Sequence, residues 1–391
     1  MPIDAGLLER RLDELYAIGD RGLYDSAWAT ALDRVERWMK DAGLKTRRDA
    51  VGNLWGRAEG ADTGKSIVTG SHIDTVRNGG RLDGALGIVA GLTAVEALLR
   101  DKGKPRRALE VVAICEEEGS RFSTNFWGSR AITGAIDAVD GDIAAAMRER
   151  GLDPKKVSTA ARDDIDAFVE LHIEQGAVLE AANRPLAVVS AIVGTAHLEV
   201  TVTGRRDHAG TTPMDMRLDA LAGAAAMVQA VESITRSVGT PAVATVGKLE
   251  VEPDQINVVP GRVVFTVDLR HSELSGRRAL EERIRSRCAT IAAERRLGLA
   301  IRTLQDKPPV AMHAEVRALL ARAAQECGVA AAEMVSGAGH DAQILAARCR
   351  VGMLFVPSIA GRSHCPEEAT SPEHVELGTN VLMRALELMA Y

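Results

Sequence analysis

Several short stretches of this sequence set imidazole and carboxylate side chains directly after runs of apolar residues. The first is Gly70-Ser71-His72-Ile73-Asp74-Thr75-Val76, followed closely by Gly79-Gly80-Arg81-Leu82-Asp83-Gly84. A histidine at a strand end can offer one ring nitrogen to a metal, and an aspartate two residues on can hold the other nitrogen in the matching tautomer. That makes Asp74 the natural partner of His72. The glycines around Asp83 let the backbone turn closely about a bound ion. Taken alone, His-x-Asp is also what an ordinary hydrogen-bonded loop histidine looks like.

Ile114-Cys115-Glu116-Glu117-Glu118-Gly119-Ser120 follows another apolar run, Val111-Val112-Ala113-Ile114. Three adjacent carboxylates are normally a solvated surface run. At the end of a buried strand they repel one another, so a cation or a raised pKa must neutralise some of them. A metal ligand beside a proton-shuttling carboxylate answers both needs. Val169-Glu170-Leu171-His172-Ile173-Glu174-Gln175-Gly176 and Arg362-Ser363-His364-Cys365-Pro366-Glu367-Glu368 supply two more histidines in similar settings. Imidazole with carboxylate is the donor mix of a hydrolytic zinc, manganese or nickel site rather than a magnesium one. Five such donors with one carboxylate shared suit two ions about 3.5–4 Å apart.

These residues can act together only if rigid elements converge on them. Residues 7–18 and 27–42 have helical apolar spacing, as in Trp28, Leu32, Val35 and Met39. Short β-rich runs follow at 53–57, 66–70, 109–114 and 168–173, and 84–99 reads as a helix of small and aliphatic residues. Strands that bracket a long helix predict an α/β domain with a mixed, largely parallel sheet and helices on both faces. Ligands in such sheets lie beyond the carboxyl ends of the strands, where the residues above stand.

A second unit begins near Gly194. Strands are expected at 197–202, 242–249 and 263–269, with an Ala-rich helix at 220–238 and a strongly charged one at 276–296. This suits a small α+β sandwich with its helices on one sheet face. Lys307-Pro308-Pro309 marks the return crossing. A helix (314–328), a loop (336–342), a strand (352–355) and a terminal helix (372–389) then complete the first unit. The expected organisation is a catalytic domain in two parts, 1–194 and 309–391, with an inserted domain at 195–308. A length of 391 residues agrees with two domains, since single cores usually stop growing near ~250–300 residues.

Composition narrows the function classes. Hydrophobic residues make up 46% and charged residues 26%, an ordinary globular balance. Aromatics are only 3%, which leaves little for stacking on nucleic acid, and a net charge of −6 gives no attraction to a polyanion. The reading is therefore no nucleic-acid partner. No stretch approaches the ~20 apolar residues of a membrane span, so no membrane partner is expected. The start lacks a secretory apolar core, and the scattered cysteines, Cys115, Cys288, Cys327, Cys349 and Cys365, read as reduced thiols; both point to the cytoplasm.

With these motifs assembled, the chain resembles the di-metal aminoacylase and carboxypeptidase superfamily. Within it, the chain is similar to the branch of N-carbamoyl-L-amino-acid hydrolases, β-ureidopropionases and allantoate amidohydrolases. The motifs that carry the resemblance are GSHIDTVRNGGRLDGALG, EEEGSRF, ELHIEQG, DHAGTTPM, INVVPG, DLR, SGAGHDA and SHCPEE, in order from Gly70 to Glu368. The resemblance implies that two divalent metal ions, zinc first and manganese, cobalt or nickel as alternatives, are held by five ligands. Asp83 would bridge, His72 and His172 would complete one site, and Glu118 and His364 the other. Glu117 matches the general base, and Asp74 the partner of His72. The inserted domain becomes a dimerisation or lid domain, and the protein a homodimer. His208 matches a histidine that stabilises the oxyanion in the partner subunit's active site, and Gln175, Asn257 and Arg270 match substrate-binding positions. His340, in a glycine loop, is a further substrate-binding candidate.

Arg270, at the end of the 263–269 strand, could clamp a substrate carboxylate through both its nitrogens or form a structural ion pair. Asn257 could equally be a turn residue. The remaining histidines, His197, His271, His313 and His374, read as surface or packing residues. The expected reaction is hydrolysis of the ureido C–N bond of an N-carbamoyl-L-amino acid, a small substrate with a carboxylate, giving amino acid, ammonia and carbon dioxide. Allantoate or a β-carbamoyl amino acid is the near alternative. A peptidase or aminoacylase is more distant, because those peptidase relatives have a carboxylate where this chain has His172. A non-catalytic binding relative would be expected to lose a ligand or the base, and all are present.

Overall fold

The structure is a computed structural model that describes residues 3–391, so Met1 and Pro2 of the start lie outside the described residues. The chain divides into two compact units. The first runs to Ser190 and resumes at Met312, and the second is Ala191–Ala311. The second unit thus begins and ends a few residues outside the 195–308 span expected from sequence.

The first unit opens with helices α1 (Ala5–Tyr16) and α2 (Ser26–Asp41) and strands β1 (Lys45–Arg48), β2 (Leu54–Ala58) and β3 (Ser66–His72). Next come α3 (Ala85–Lys102), β4 (Leu109–Ile114), α4 (Trp127–Ile132), α5 (Gly141–Glu149), β5 (Ile165–Ile173), α6 (Val178–Ala181) and β6 (Ala187–Ile192). After the second unit's elements, numbered β7–β12 and α7–α8 below and ending with the short β13 (Val310–Ala311), the chain continues through α9 (Ala314–Glu326), β14 (Ala332–Ser336), α10 (Asp341–Leu345), β15 (Arg350–Val356) and α11 (Pro372–Ala390). The strands form one nine-stranded sheet in the order β1-β2-β4-β3-β5-β15-β6-β13, with β14 also on β6.

The four central strands β4, β3, β5 and β15 run parallel, and antiparallel pairs flank them. All residues of β3 and β4 are buried, as expected for strands covered on both faces. Leu171 of β5 and Val356 of β15 lie against α11 at Gly378, while Val316 and Leu320 of α9 lie against Gly352 of β15. On the opposite face, Ile114 of β4 packs at Gly128 of α4, and Glu170 of β5 accepts from the Ala342 amide of α10. The fold is therefore mixed α/β, with its carboxyl strand ends gathered at one edge.

The second unit holds β7 (Gly194–Thr203), β8 (Asp207–His208), α7 (Ala220–Val238), β9 (Val243–Glu252), β10 (Val258–Val259), β11 (Arg262–His271), α8 (Leu274–Glu294) and β12 (Gly298–Lys307). Four of them make an antiparallel sheet, β12-β7-β11-β9. Burial alternates along β7, with Ala196, Leu198, Val200 and Val202 facing α7 and α8 and the residues between them less buried. This is the period-two pattern of a sheet covered on one face.

Sequence periodicity did not predict β1, β6, β12, β14, α4 or α5. In β12 most residues are exposed and the rest only partly buried, so its own pattern is weak. It becomes a strand through its long ladder with β7. The loop expected at 336–342 is shorter, because Ser336 ends β14 and Asp341 begins α10. Among the described residues no helix is long and apolar enough to cross a membrane.

Candidate metal centre

His72 closes β3, His172 is the penultimate residue of β5, and Glu116–Glu118 follow β4. His72 is in register with Ile114, and Phe355 of β15 with His172. The parallel centre therefore delivers these side chains to one edge, and the segment after β15 brings His364. Asp83 stands just before α3, where the helix dipole favours a carboxylate. Gly84 makes that approach possible: its φ is +67°, and a Cβ there would lie 2.4 Å from the His72 carbonyl oxygen.

Asp83 is the hub. Its Oδ1 lies 3.3 Å from His72 Nε2 and 3.2 Å from His172 Nε2, and its Oδ2 lies 3.2 Å from His364 Nε2. His364 Nε2 is also 3.4 Å from Glu118 Oε1. The ligand atoms of His72, Asp83 and His172 lie close enough together to hold one cation. Those of Asp83, Glu118 and His364 form a second such group, and His72 with Glu117 and Glu118 a third.

Protonation geometry supports cations here. His172 Nδ1 donates to the Ile173 carbonyl at 2.9 Å, so its lone pair is on Nε2. That Nε2 is buried and makes no hydrogen bond, although it faces Asp83. A buried lone pair facing a carboxylate oxygen is unfavourable unless a proton or a metal ion lies between them. Burial would lower the His172 imidazole, but Asp83 overrides it and raises the ring, so the metal-free site takes a proton there. His72 Nδ1 is held by Asp74, 3.1 Å from its carbonyl oxygen and 3.3 Å from its Oδ1, so its Nε2 is aimed the same way.

Charge tells the same story. Burial, opposed by nearby His72, pushes the Glu117 carboxyl well above the usual range, and burial also raises Glu118. Burial and neighbouring Asp74 take Glu116 to about 9. Burial would lower the His72 imidazole, but Asp74 and Asp83 override it and hold the ring well above its usual value. The bond to Asp83 raises His364 to about 8, against the opposing effect of burial. Without metal, protons collect where cations would neutralise the crowded carboxylates.

The three glutamates divide their work. Glu116 accepts from the Gly119 amide and, at 2.9 Å, from Trp127, which folds the turn after β4. Glu117 and Glu118 donate their own amides to the two Asp74 carboxylate oxygens at 3.0 and 3.2 Å. Asp74 thus orients His72 and also the segment carrying Glu117 and Glu118.

Gln175 joins the cluster, its Nε2 donating to Asp83 Oδ2 at 2.7 Å. Gln175 and His364 both have positive φ, 59° and 56°, backbone strain of the kind found where side chains are held for function. His340 lies behind the site, edge-on to His172 with ring centroids 4.6 Å apart and its Nε2 2.9 Å from Ser336 Oγ. Glu170, which sequence reasoning left without a role, accepts from Ser71 Oγ at 2.7 Å and from the Ala342 amide. The β3–β5 ladder stops at Thr69↔Val169, so this side-chain bond ties the two strands just before their histidines. No pattern in the sequence marks that contact.

The other expected residues lie in the second unit. His208 of β8 accepts the Gly210 and Thr211 amides on Nδ1 at 3.0 and 3.2 Å. Its proton is therefore on Nε2, on an exposed ring. Asn257 precedes Val258, the register partner of His208, and accepts the Ala209 amide on its carbonyl oxygen. Arg270 makes two bonds to Asp268, at 3.0 and 2.9 Å, so the ion-pair alternative is realised in this structure. Asn257 lies before the Arg262 end of β11, whereas Arg270 is next to its His271 end, and at ~3.3 Å per residue the strand itself spans roughly 30 Å.

Comparison with known proteins now fits this geometry. The profile of peptidase family M20/M25/M40 matches residues 68–388. The chain belongs to that family. Within it, the chain falls in the branch of N-carbamoyl-L-amino-acid and allantoate amidohydrolases. It is 40% identical to an allantoate amidohydrolase of Bacillus subtilis, an alignment covering 95% of this chain and 92% of that one. It is 39% identical to an N-carbamoyl-L-amino acid amidohydrolase of Geobacillus stearothermophilus over 98% of both chains. A crystal structure of an amidase of the hydantoinase/carbamoylase family from Burkholderia multivorans superposes with a TM-score of 0.93 at 34% identity, covering 100% of this M20 chain and 98% of the other.

Proposed function

We propose that this chain hydrolyses the ureido C–N bond of N-carbamoyl-L-amino acids, releasing the amino acid, ammonia and carbon dioxide. The chain is a hydrolase of C–N bonds other than peptide bonds, as are its relatives. The observation that carries the reading is the Asp83-centred cluster, with the orphaned Nε2 of His172 facing it. Two divalent cations fit this donor set, Asp83 shared, His72 and His172 on one side, Glu118 and His364 on the other. Zinc is the first expectation, with manganese, cobalt and nickel compatible. When bound, they would lower the pKa of a water towards neutrality and polarise the ureido carbonyl.

Glu117 accepts the proton of the attacking water at its carboxylate and returns it to the departing amino-acid nitrogen. Its buried carboxylate stands beside His72 and Glu118, within reach of a water held at the cluster. His208, its proton held on Nε2, serves as the oxyanion donor. Because Asn257 sits beside His208 and far along β11 from Arg270, Asn257 and His208 act as a pair. Following the family resemblance, His208 serves the partner subunit of a homodimer, and Asn257, held beside it, goes with it. Arg270 exchanges its bond to Asp268 for the substrate carboxylate. The departing carbamate decomposes to ammonia and carbon dioxide.

A second reading, allantoate hydrolysis, is favoured by the allantoate amidohydrolases of Bacillus subtilis and Escherichia coli, 40% and 41% identical to this chain. Ammonia release by metal-reconstituted protein from N-carbamoyl-L-methionine, N-carbamoyl-β-alanine and allantoate separates the readings. The expected result is fastest turnover of N-carbamoyl-L-methionine. Silence on all three alongside cleavage of a dipeptide overturns the substrate class.

A further inference from the structure

The geometry points to Glu368 as a positioning residue that sets Asp83 against His364 and thereby holds the outer cation position formed by Asp83, Glu118 and His364. The inference rests on the metal reading above, but it concerns a side chain that touches neither a cation ligand atom of the inner pair nor the reacting atoms.

Glu368 is buried, 5% exposed, at the end of the segment that carries His364. One carboxylate oxygen, Oε1, accepts the amides of Leu82 and of Asp83 itself, at 2.8 and 3.0 Å. The other, Oε2, accepts Ser363 Oγ at 2.8 Å, and Ser363 Oγ also lies 3.2 Å from Asp83 Oδ2. A single carboxylate therefore joins the backbone of the Asp83 turn to the residue preceding His364, across 285 positions of sequence. The Glu368 amide donates to the Cys365 carbonyl at 3.1 Å and closes the His364 segment into a compact turn.

The slot for this carboxylate is cut by Gly80. A Cβ at that position would lie 2.1 Å from Glu368 Cδ and Oε1, so any other residue there displaces the group. The clasp also suits its surroundings. Amide donors stabilise a buried carboxylate without bringing in a Lys or Arg that would compete with a cation nearby. His364 needs such help, because it arrives on a loop rather than a strand and keeps a positive φ of 56°.

Zn²⁺ titration of chelator-stripped full-length protein, with bound metal counted by elemental analysis, tests this directly. Wild type should take up two equivalents. Glu368→Ala should keep the first and bind the second roughly 10–100-fold more weakly, the usual cost of losing a group that orients a metal ligand. Its kcat should fall by a similar factor, with KM changed much less. Glu368→Gln, whose amide oxygen can still accept both backbone amides, should restore most of the second-equivalent affinity. Gly80→Ala, which leaves Glu368 in the chain but closes its slot, should reproduce the Glu368→Ala defect and stands in if that variant fails to fold.

A Glu368→Ala or Gly80→Ala protein that binds the second equivalent as wild type does overturns the inference, even if its melting temperature falls, because the clasp would then be structural only. Wild-type protein that takes up fewer than two equivalents overturns the metal reading and this inference with it.

Discussion

His72 and His172 reach Asp83 from strand ends with side chains only 4% and 1% exposed, whereas His364 reaches it from a loop with its side chain 49% exposed. The inner pair is fixed by the parallel ladder, by Asp74 and by the Ser71–Glu170 bond. In the outer pair, His364 depends on a turn closed by Ser363 and Glu368. Asp83 gives one carboxylate oxygen to each half. The difference teaches that one of the two proposed cation positions is part of the folded core and the other is assembled on its rim, so the two should respond differently to mutation and to pH.

Four experiments press on that comparison. The largest effect should come from Glu117, the proposed base, which belongs to neither half. Glu117→Gln should lower kcat by roughly 10³-fold or more while elemental analysis finds both metals in place. Retained turnover in a metal-replete mutant would remove Glu117 from the role of base.

The two histidines should then separate the halves. In the metal-free protein, His172→Ala opens a fully buried site and should cost about 2 kcal/mol or more, with the first metal equivalent lost. His364→Ala alters a half-exposed loop residue, so its effect on stability should stay near 0.5 kcal/mol, with only the second equivalent weakened. Denaturant melts and metal counts on both variants check this. Equal losses in the two would erase the distinction between core and rim.

Asp74 links the halves, since it holds His72 and also the amides of Glu117 and Glu118. Asp74→Asn turns an acceptor into a donor against those amides. It should weaken binding of both equivalents by roughly 10–100-fold, measured by zinc titration; a loss confined to one equivalent would place Asp74 in that half alone.

The smallest effect is a pH slope. The bond to Asp83 raises His364 from 6.5 to about 8 in the metal-free fold, against the opposing effect of burial. A folded pKa above the unfolded one stabilises fully below the unfolded value and loses that stabilisation as pH rises through the folded one. Between pH 6.5 and about 8.5, metal-free wild type should therefore lose melting temperature relative to metal-free His364→Ala. Parallel curves for the two proteins would show that His364 is not held by Asp83 in the metal-free state.

Much of the strand-end set, which takes in the inner pair, was legible in the sequence. His72, Glu117, Glu118 and His172 follow apolar runs, and a buried parallel strand leaves a strong one-dimensional trace, so its end can be placed within a residue or two. The second unit was less legible. Strand β12 was missed because an edge strand with mixed exposure has little pattern of its own.

The amino-acid sequence by itself determined which donors exist and that several sit at strand ends, because residue type and hydrophobic period are local properties. Only the tertiary structure decided that Asp83 offers one oxygen to the strand-end histidines and the other to His364, and that Glu170 and Glu368 hold the surrounding segments. Those relations depend on backbone amides and hydroxyls brought together from distant positions. A carboxylate that binds a distant backbone amide looks, in sequence, like any other carboxylate.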